Sequence, residues 1–167
     1  PQAGRGAAGQ QAAASLTGGL ARTDYVFDAA IARAGMRRVD TLWQLFLAAE
    51  ILTRYQAPIG DRMTVLTNGG GVGVLAADAA ATEDVPLADL SAPLKRALDQ
   101  VLPANWSHGN PVDIIGDAPA ERYVDALKAL GQHPADTGTL LFIHAPTAIV
   151  PPTDIARAMI PVIRPAG

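Results

Sequence analysis

The stretch Met63-Thr-Val-Leu-Thr-Asn-Gly-Gly-Gly-Val-Gly-Val-Leu-Ala-Ala-Asp78 constrains the fold more than any other part of the chain. A short apolar run, Met63 to Leu66, reads as a buried strand. It stops at Thr67-Asn68 and three glycines, and an Ala-rich apolar segment follows. Strand, glycine turn and helix is how an α/β sheet presents a helix N-terminus to an anion. The first-turn N–H groups there have no intrahelical partner, and the aligned peptide dipoles add partial positive charge. Glycine lets the backbone approach a ligand with no Cβ in the way. The spacing is neither a lysine-bearing phosphate loop nor a clean dinucleotide fingerprint, since no Gly-Lys-Ser/Thr and no G-x-G-x-x-G follows. Two readings stand: a phosphate or phosphorylated group held at this turn, which is favoured, or a glycine turn that only lets strand and helix pack closely.

Around that stretch the pattern alternates. Strand Met63–Leu66 leads to a helix over 72–81, a weak extended piece over 85–87, and a helix from about Ser91 to before Pro103. Asn110 to Asp117 forms a loop or short strand, and Pro119 suits the first position of a helix running to Leu130. Thr139 to His144 reads as another fully buried strand, and 152–163 as a helix. Buried strands alternating with amphipathic helices imply a doubly wound parallel sheet. Such a domain usually has about five strands, and only three or four are visible here.

Before Pro58-Ile-Gly60, where the domain boundary is placed, the character differs. Residues 1 to about 23 are rich in Gly, Ala, Gln, Ser and Thr, and read as a mobile loop or a site loop ordered by a partner. From Asp24, a candidate N-cap, Val26, Phe27, Ala30, Ile31 and Ala34 share a helical face, with Gly35 as the stop. A second helix starts at Asp40 or Thr41, with Leu42, Leu45, Phe46, Ala49 and Leu52 as its apolar stripe. The chain opens on Pro without Met and closes on Arg164-Pro-Ala-Gly167 just after a helix, which reads as a segment of a longer polypeptide.

Composition closes several doors. Hydrophobic residues make up 49% of the 167 and charged residues 17%, so much of the chain is meant to be buried. A net charge of -3 and no basic stripe argue against nucleic acid as a partner. Asp and Arg interrupt every apolar run below membrane-spanning length. Zero cysteines remove disulfides, thiolate zinc sites and thiol catalysis, and fit a cytoplasmic setting. No Ser/His/Asp arrangement has a nucleophile elbow, and no His pair has zinc spacing.

Three segments together resemble the NDP-forming (ADP-forming) acyl-CoA synthetases, relatives of succinyl-CoA synthetase, including the pseudo-synthetase part of Gcn5-type protein lysine acetyltransferases. They are Gly4-Arg-Gly-Ala-Ala-Gly with Ala14-Ser-Leu-Thr-Gly-Gly-Leu-Ala21 and Asp24-Tyr-Val-Phe-Asp-Ala-Ala; Leu66-Thr-Asn-Gly-Gly-Gly-Val-Gly-Val-Leu-Ala-Ala-Asp78; and Gly109-Asn-Pro-Val-Asp-Ile-Ile-Gly-Asp117. They occur in the family's order and cover nearly the whole chain. The resemblance implies that residues 1–58 are the C-terminal part of a succinyl-CoA-ligase-like α/β domain, and 59–167 an incomplete flavodoxin-like ligase domain. It further implies a parent that makes acyl-CoA from acid, CoA and ATP, with magnesium, alongside CoA-binding and ATP-grasp domains or subunits, and with a homo-oligomer as an option. The 167 residues alone are expected to show no turnover.

In working members the loop matching residues 14–18 reads Ser-His-Thr-Gly. Its phosphorylated histidine carries phosphate between the acyl-CoA site and a nucleotide site, held by two helix N-termini. On this mapping the phosphate-binding residues are Asn68, Gly69, Gly70, Gly71, Val72 and Gly73 at one helix, with Ser15, Thr17 and Gly18 in the loop and the helix near Asp24 opposite. The histidine position is Leu16, which can be neither phosphorylated nor nucleophilic. The chain therefore has no catalytic residue at that position, and phosphotransfer is expected to be impaired. The alternative function is an acyl-CoA-sensing region that regulates a fused acetyltransferase; a third is a piece that supplies subunit contacts.

The remaining candidates have bland readings beside them. Asp113 and Asp117 are a site-edge carboxylate or metal pair, or, favoured, an Asx turn plus a helix cap. Glu50 reads as a solvated flank or ion pair, Trp43 and Trp106 as packing or interface anchors, and His144 as a satisfied core or edge histidine. His108 lies in a polar connection, and His133 at a helix end where a cation suits the dipole. Arg5 grips phosphate or is solvated.

Overall fold

A computed structural model describes residues 24–36, 38–54 and 60–163, together with the separate positions Ala8, Gln11 and Ser15, which are helical and exposed. The chain divides into two compact units, Pro1–Gln56 and Ala57–Gly167.

In the first unit, helix α1 (Asp24–Arg33) ends where the sequence says it should. Gly35 takes φ +68°. Its N–H donates to the Ala32 carbonyl at 3.1 Å while the Met36 N–H reaches back to Ile31 at 3.1 Å. This pair of bonds closes a helix with a left-handed residue, which glycine adopts without steric cost. Asp24, expected as the N-cap, is instead the first helical residue. Helix α2 (Leu42–Arg54) is capped reciprocally. Thr41 Oγ1 accepts from the Gln44 amide, and Gln44 Oε1 accepts from the amides of Asp40 and Thr41, the capping-box arrangement. None of the α2 residues is buried: Trp43 is 75% exposed and Leu52 78%. The expected apolar stripe exists as a surface.

The second unit holds a three-stranded parallel sheet of order β2-β1-β3, with β1 at Met63–Thr67, β2 at Val112–Asp113 and β3 at Thr139–Ile143. Helix α3 (Gly70–Thr82) follows β1, α4 (Ala92–Asp99) and α5 (Ala120–Gly131) flank β2 in sequence, and a single turn α6 (Pro134–Thr137) precedes β3. Helix α7 (Pro152–Ile163) follows it. Successive strand side chains alternate between faces. Leu66, Leu140 and Phe142 meet Leu94, Leu98, Tyr123, Leu130, Ile155 and Met159 from α4, α5 and α7, forming the main core. Thr67 turns the other way, against Gly73 of α3. Helices therefore lie on both faces, and the fold is a small flavodoxin-like α/β sheet, doubly wound as expected.

Three local expectations are corrected. Helix α5 begins at Ala120 with Pro119 as its N-cap, one residue later than read. Helix α3 is apolar on all sides rather than amphipathic, with Val74 and Leu75 exposed. Strand β3 is not fully buried: Leu141 is 38% exposed. Among the described residues it pairs only with β1, and on the α3 face that helix lies over β1 and β2, leaving Leu141 uncovered.

Candidate functional site

The turn after β1 is built by side chains that imitate backbone. The paired register of β1 and β3 ends at Thr67 opposite Ile143. Asn68, itself 2% exposed, continues it. Its Nδ2 donates to the Ala145 carbonyl at 2.9 Å, and its Oδ1 accepts the Ala145 amide at 2.8 Å. The carboxamide named as a phosphate ligand is thus committed to the sheet, and Asn68 contributes the position of the turn. Thr67 Oγ1 accepts the Gly69 N–H at 3.2 Å, which bends the chain into α3.

The glycines then divide by role. A Cβ on Gly69 would stand 2.9 Å from the Ala145 Cβ, and one on Gly73 would press on Thr67 and Pro111 at 3.2 and 3.3 Å. At both positions strand and helix pack too closely for a side chain. Gly71 is different: it is exposed, and a Cβ there would meet nothing within 4 Å. Among the described residues no acceptor takes the amides of Gly70, Gly71 or Val72, whereas Gly73 N–H already bonds Gly69 O at 3.1 Å. Three donors with the helix dipole behind them stand open at an exposed helix mouth.

The wall beside this mouth comes from 107–117. Asn110 fills a gap in the sheet between an isolated bridge at Leu87 and β2. Its Oδ1 accepts the Val65 amide at 2.9 Å, and its Nδ2 donates to the carbonyls of Met63 (2.8 Å) and Ala88 (3.0 Å). Ser107 Oγ accepts the Asp113 amide and donates to the Pro111 carbonyl. Asp113 Oδ1 accepts the Ile115 N–H at 2.9 Å, an Asx turn as favoured, and Oδ2 lies 3.1 Å from where a Cβ on Gly70 would stand. Ile115 holds φ +71°, a strained conformation for a β-branched residue. It is fixed by the Asx bond before it and by the buried Ile114, whose carbonyl takes Arg122 at 3.0 Å. Asp117 pairs with Arg122 at 2.5 Å and is not the helix cap expected of it, because Pro119 holds that place.

The other candidates resolve into structure. Glu50 pairs with Arg54 at 3.0 Å on an exposed helix face. Trp106, 2% exposed, donates its indole N–H to Asp99, which also faces His108 Nδ1 at 3.2 Å. His133 caps the α6 turn and faces Asp136 at 3.9 Å. His144 does sit at the sheet edge, but it is only half satisfied: Nδ1 meets the Tyr123 hydroxyl at 3.1 Å, and the buried Nε2 has no partner among the described residues. Burial raises the Tyr123 hydroxyl pKa, with the Arg122 guanidinium opposing it. Among the described residues no cluster of three His, Asp or Glu side chains could hold a metal ion, and no helix is long and apolar enough to cross a membrane. Arg5, Leu16, Thr17 and Gly18 lie outside the described residues, while Ser15 is exposed in helical backbone. The structural roles of Asn110 and Ala145 and the placement of Asp113 against Gly70 were missed from sequence. The only local sign was the Asn-Pro pair, which marks a turn but names no partner.

Comparison with known proteins gives two matches in succession. Residues 2–52 match the family described as a succinyl-CoA ligase like flavodoxin domain, and residues 63–166 the Ligase-CoA domain. The chain is 36% identical, over 95% of its length, to the alpha subunit of acetate–CoA ligase [ADP-forming] I of Pyrococcus furiosus, covering 34% of that protein. It is 38% identical, over 88% of its length, to acetate–CoA ligase [ADP-forming] I of Archaeoglobus fulgidus, covering 21% of that protein. Among solved structures it resembles the dinucleotide forming acetyl-coenzyme A synthetase 1 of Ca. Korarchaeum cryptofilum in complex with phosphate and ADP. The TM-score is 0.89 at 31% identity, over 96% of this chain and 34% of that one. The chain thus spans about a third or less of the length of these relatives. By its sequence matches and its fold, it belongs to the Ligase-CoA domain family and, with the segment before it, to the NDP-forming acyl-CoA synthetases.

Proposed function

We propose that this chain is the part of an NDP-forming acyl-CoA synthetase that holds a phosphoryl oxyanion at the mouth of α3. The parent would interconvert acid, CoA and ATP with acyl-CoA, ADP and phosphate, using CoA-binding and ATP-grasp parts outside this sequence. The observation that carries the reading is the set of open amides at Gly70, Gly71 and Val72. Gly71 supports it further. Glycine in a helix costs about 0.5–1 kcal/mol relative to alanine, and nothing inside the unit requires it there, so the missing Cβ leaves room for something from outside. Backbone donors on a dipole stabilise developing negative charge without reorganisation, which is what phosphoryl transfer asks of a site. Magnesium enters in this reading with the nucleotide, not through a ligand cluster of this chain.

Leu16 sets the limit on the chemistry. With no imidazole at the loop position, phosphate has no histidine to ride on. The full-length polypeptide incubated with radiolabelled ATP and magnesium, or with acyl-CoA and phosphate, is expected to give no acid-labile phosphoprotein, and Leu16→His to restore labelling. Acid-labile label on the unaltered protein would overturn the lost relay.

The same substitution favours a second reading, in which the region senses acyl-CoA and regulates a Gcn5-type lysine acetyltransferase in the same polypeptide. An intact ATP-grasp domain with ordinary ligase turnover and no acetyltransferase domain would exclude it.

A further inference from the structure

Among the described residues Asp84, His108 and Ile115 hold a positive φ without being glycine. Aspartate and histidine visit that region with some ease, whereas a β-branched side chain crowds its own backbone there. Glycine would take the +71° of Ile115 at no steric cost, and a glycine stands next door. Yet Gly116 is not the left-handed residue, and Ile115 is. The main core does not explain the choice. Ile115 is half-buried, but it belongs neither to the buried core cluster nor to the apolar groups packed against that cluster.

Strain of this kind persists where the surroundings over-determine it, and it gathers at ligand sites. Here Asp113 Oδ1 holds the Ile115 amide at 2.9 Å, and Arg122 holds the Ile114 carbonyl at 3.0 Å. The place is the rim beyond the strand ends. Strand β2 stops at Asp113, and a Cβ on Gly116 would stand 3.6 Å from the Asn68 carbonyl, just past the end of β1. Open α/β sheets receive their ligands at that rim.

We infer that Ile115 is a specificity-determining residue that gives an apolar surface to the acyl group of a CoA thioester. This deepens the acyl-CoA reading given above and rests on it. The strain is then the cost of a side chain kept for a ligand and not for the core.

Propionyl-CoA and glycolyl-CoA test it, because their acyl groups are nearly equal in size and end in a methyl and a hydroxyl. In calorimetric titration of the full-length polypeptide, propionyl-CoA should bind at least about tenfold more tightly, since an apolar contact leaves the hydroxyl unpaired. Ile115→Asn, similar in size and tolerant of positive φ, should bring the ratio below about threefold and melt no lower than the unaltered protein. Ile115→Val, still apolar and β-branched, should keep the preference. Equal binding of the two thioesters by the unaltered protein overturns the role of Ile115 and leaves the synthetase reading standing. A preference that survives Ile115→Asn, or that Ile115→Val loses as fully, does the same. So does an Ile115→Asn protein that melts several degrees lower, which would assign the side chain to packing. Binding of neither thioester at millimolar concentration overturns both.

Discussion

Two asparagines carry more of this sheet than their size suggests. Asn68 and Asn110 each place a carboxamide where a neighbouring strand lacks a peptide group, one on either side of β1. The two are not equally exchangeable. Asn110 satisfies the buried Val65 amide and two carbonyls at once. Asn110→Asp keeps the acceptor, removes both donors and turns a carboxylate toward two carbonyl oxygens. Each orphaned buried group costs about 1–3 kcal/mol, so denaturant unfolding should show a loss of about 3 kcal/mol or more. A loss below about 1 kcal/mol would mean that water replaces the carboxamide. Neither role was legible beforehand. The partners of Asn110 lie 22 to 47 positions away, and Ala145 lies 77 from Asn68, distances over which a turn signal such as Asn-Pro is silent. Local chemistry was legible where both partners were local: Gly35 ends α1, and Asp113 makes its Asx turn.

At the scale of elements, α3 separates two uses of glycine within five residues. Gly69→Ala places a methyl 2.9 Å from the Ala145 Cβ, with backbone held on both sides by the Asn68 bonds. It should destabilise by about 1–3 kcal/mol. Gly71→Ala meets open space and removes a conformational-entropy cost, so it should be neutral or stabilising by up to about 1 kcal/mol. If the mouth of α3 takes phosphate, the same methyl should nevertheless weaken phosphate binding several-fold. Melting curves and phosphate titration on the two variants test the division: a Gly71→Ala protein that binds phosphate as before would return the whole turn to packing. The strand–glycine–helix order was visible in sequence because it is local. The burial of β3 was not, because Thr-Leu-Leu-Phe-Ile reads the same at a sheet centre and at an edge, and only the order β2-β1-β3 distinguishes them. The α2 stripe shows the converse: its periodicity is that of a buried helix, and its residues are exposed.

At the scale of the molecule, the second unit is held by one core on one face of its sheet, and Tyr123 stands in it beside His144 at the crowded end of β3. Burial makes the phenolate unfavourable there, so the folded state holds the Tyr123 proton more tightly than the unfolded chain does. The contribution to stability is then fully present below the unfolded pKa of about 10 and is lost as pH rises through the higher folded value. Loss of the proton would also leave His144 Nδ1 facing a buried phenolate, with Nε2 already unpartnered. Tyr123→Phe keeps the ring packing against Phe142 and removes the titrating group. The variant should be less stable than the natural chain at pH 8 because it lacks the bond to His144. Its stability should then fall less steeply above about pH 10, so that the two curves converge as the medium becomes alkaline. Lysines and the other tyrosines are unchanged between the two proteins and cancel in the difference. Denaturant midpoints measured from pH 8 to 11 decide the matter, and curves that stay parallel would show that Tyr123 ionises in the fold as freely as in the unfolded chain.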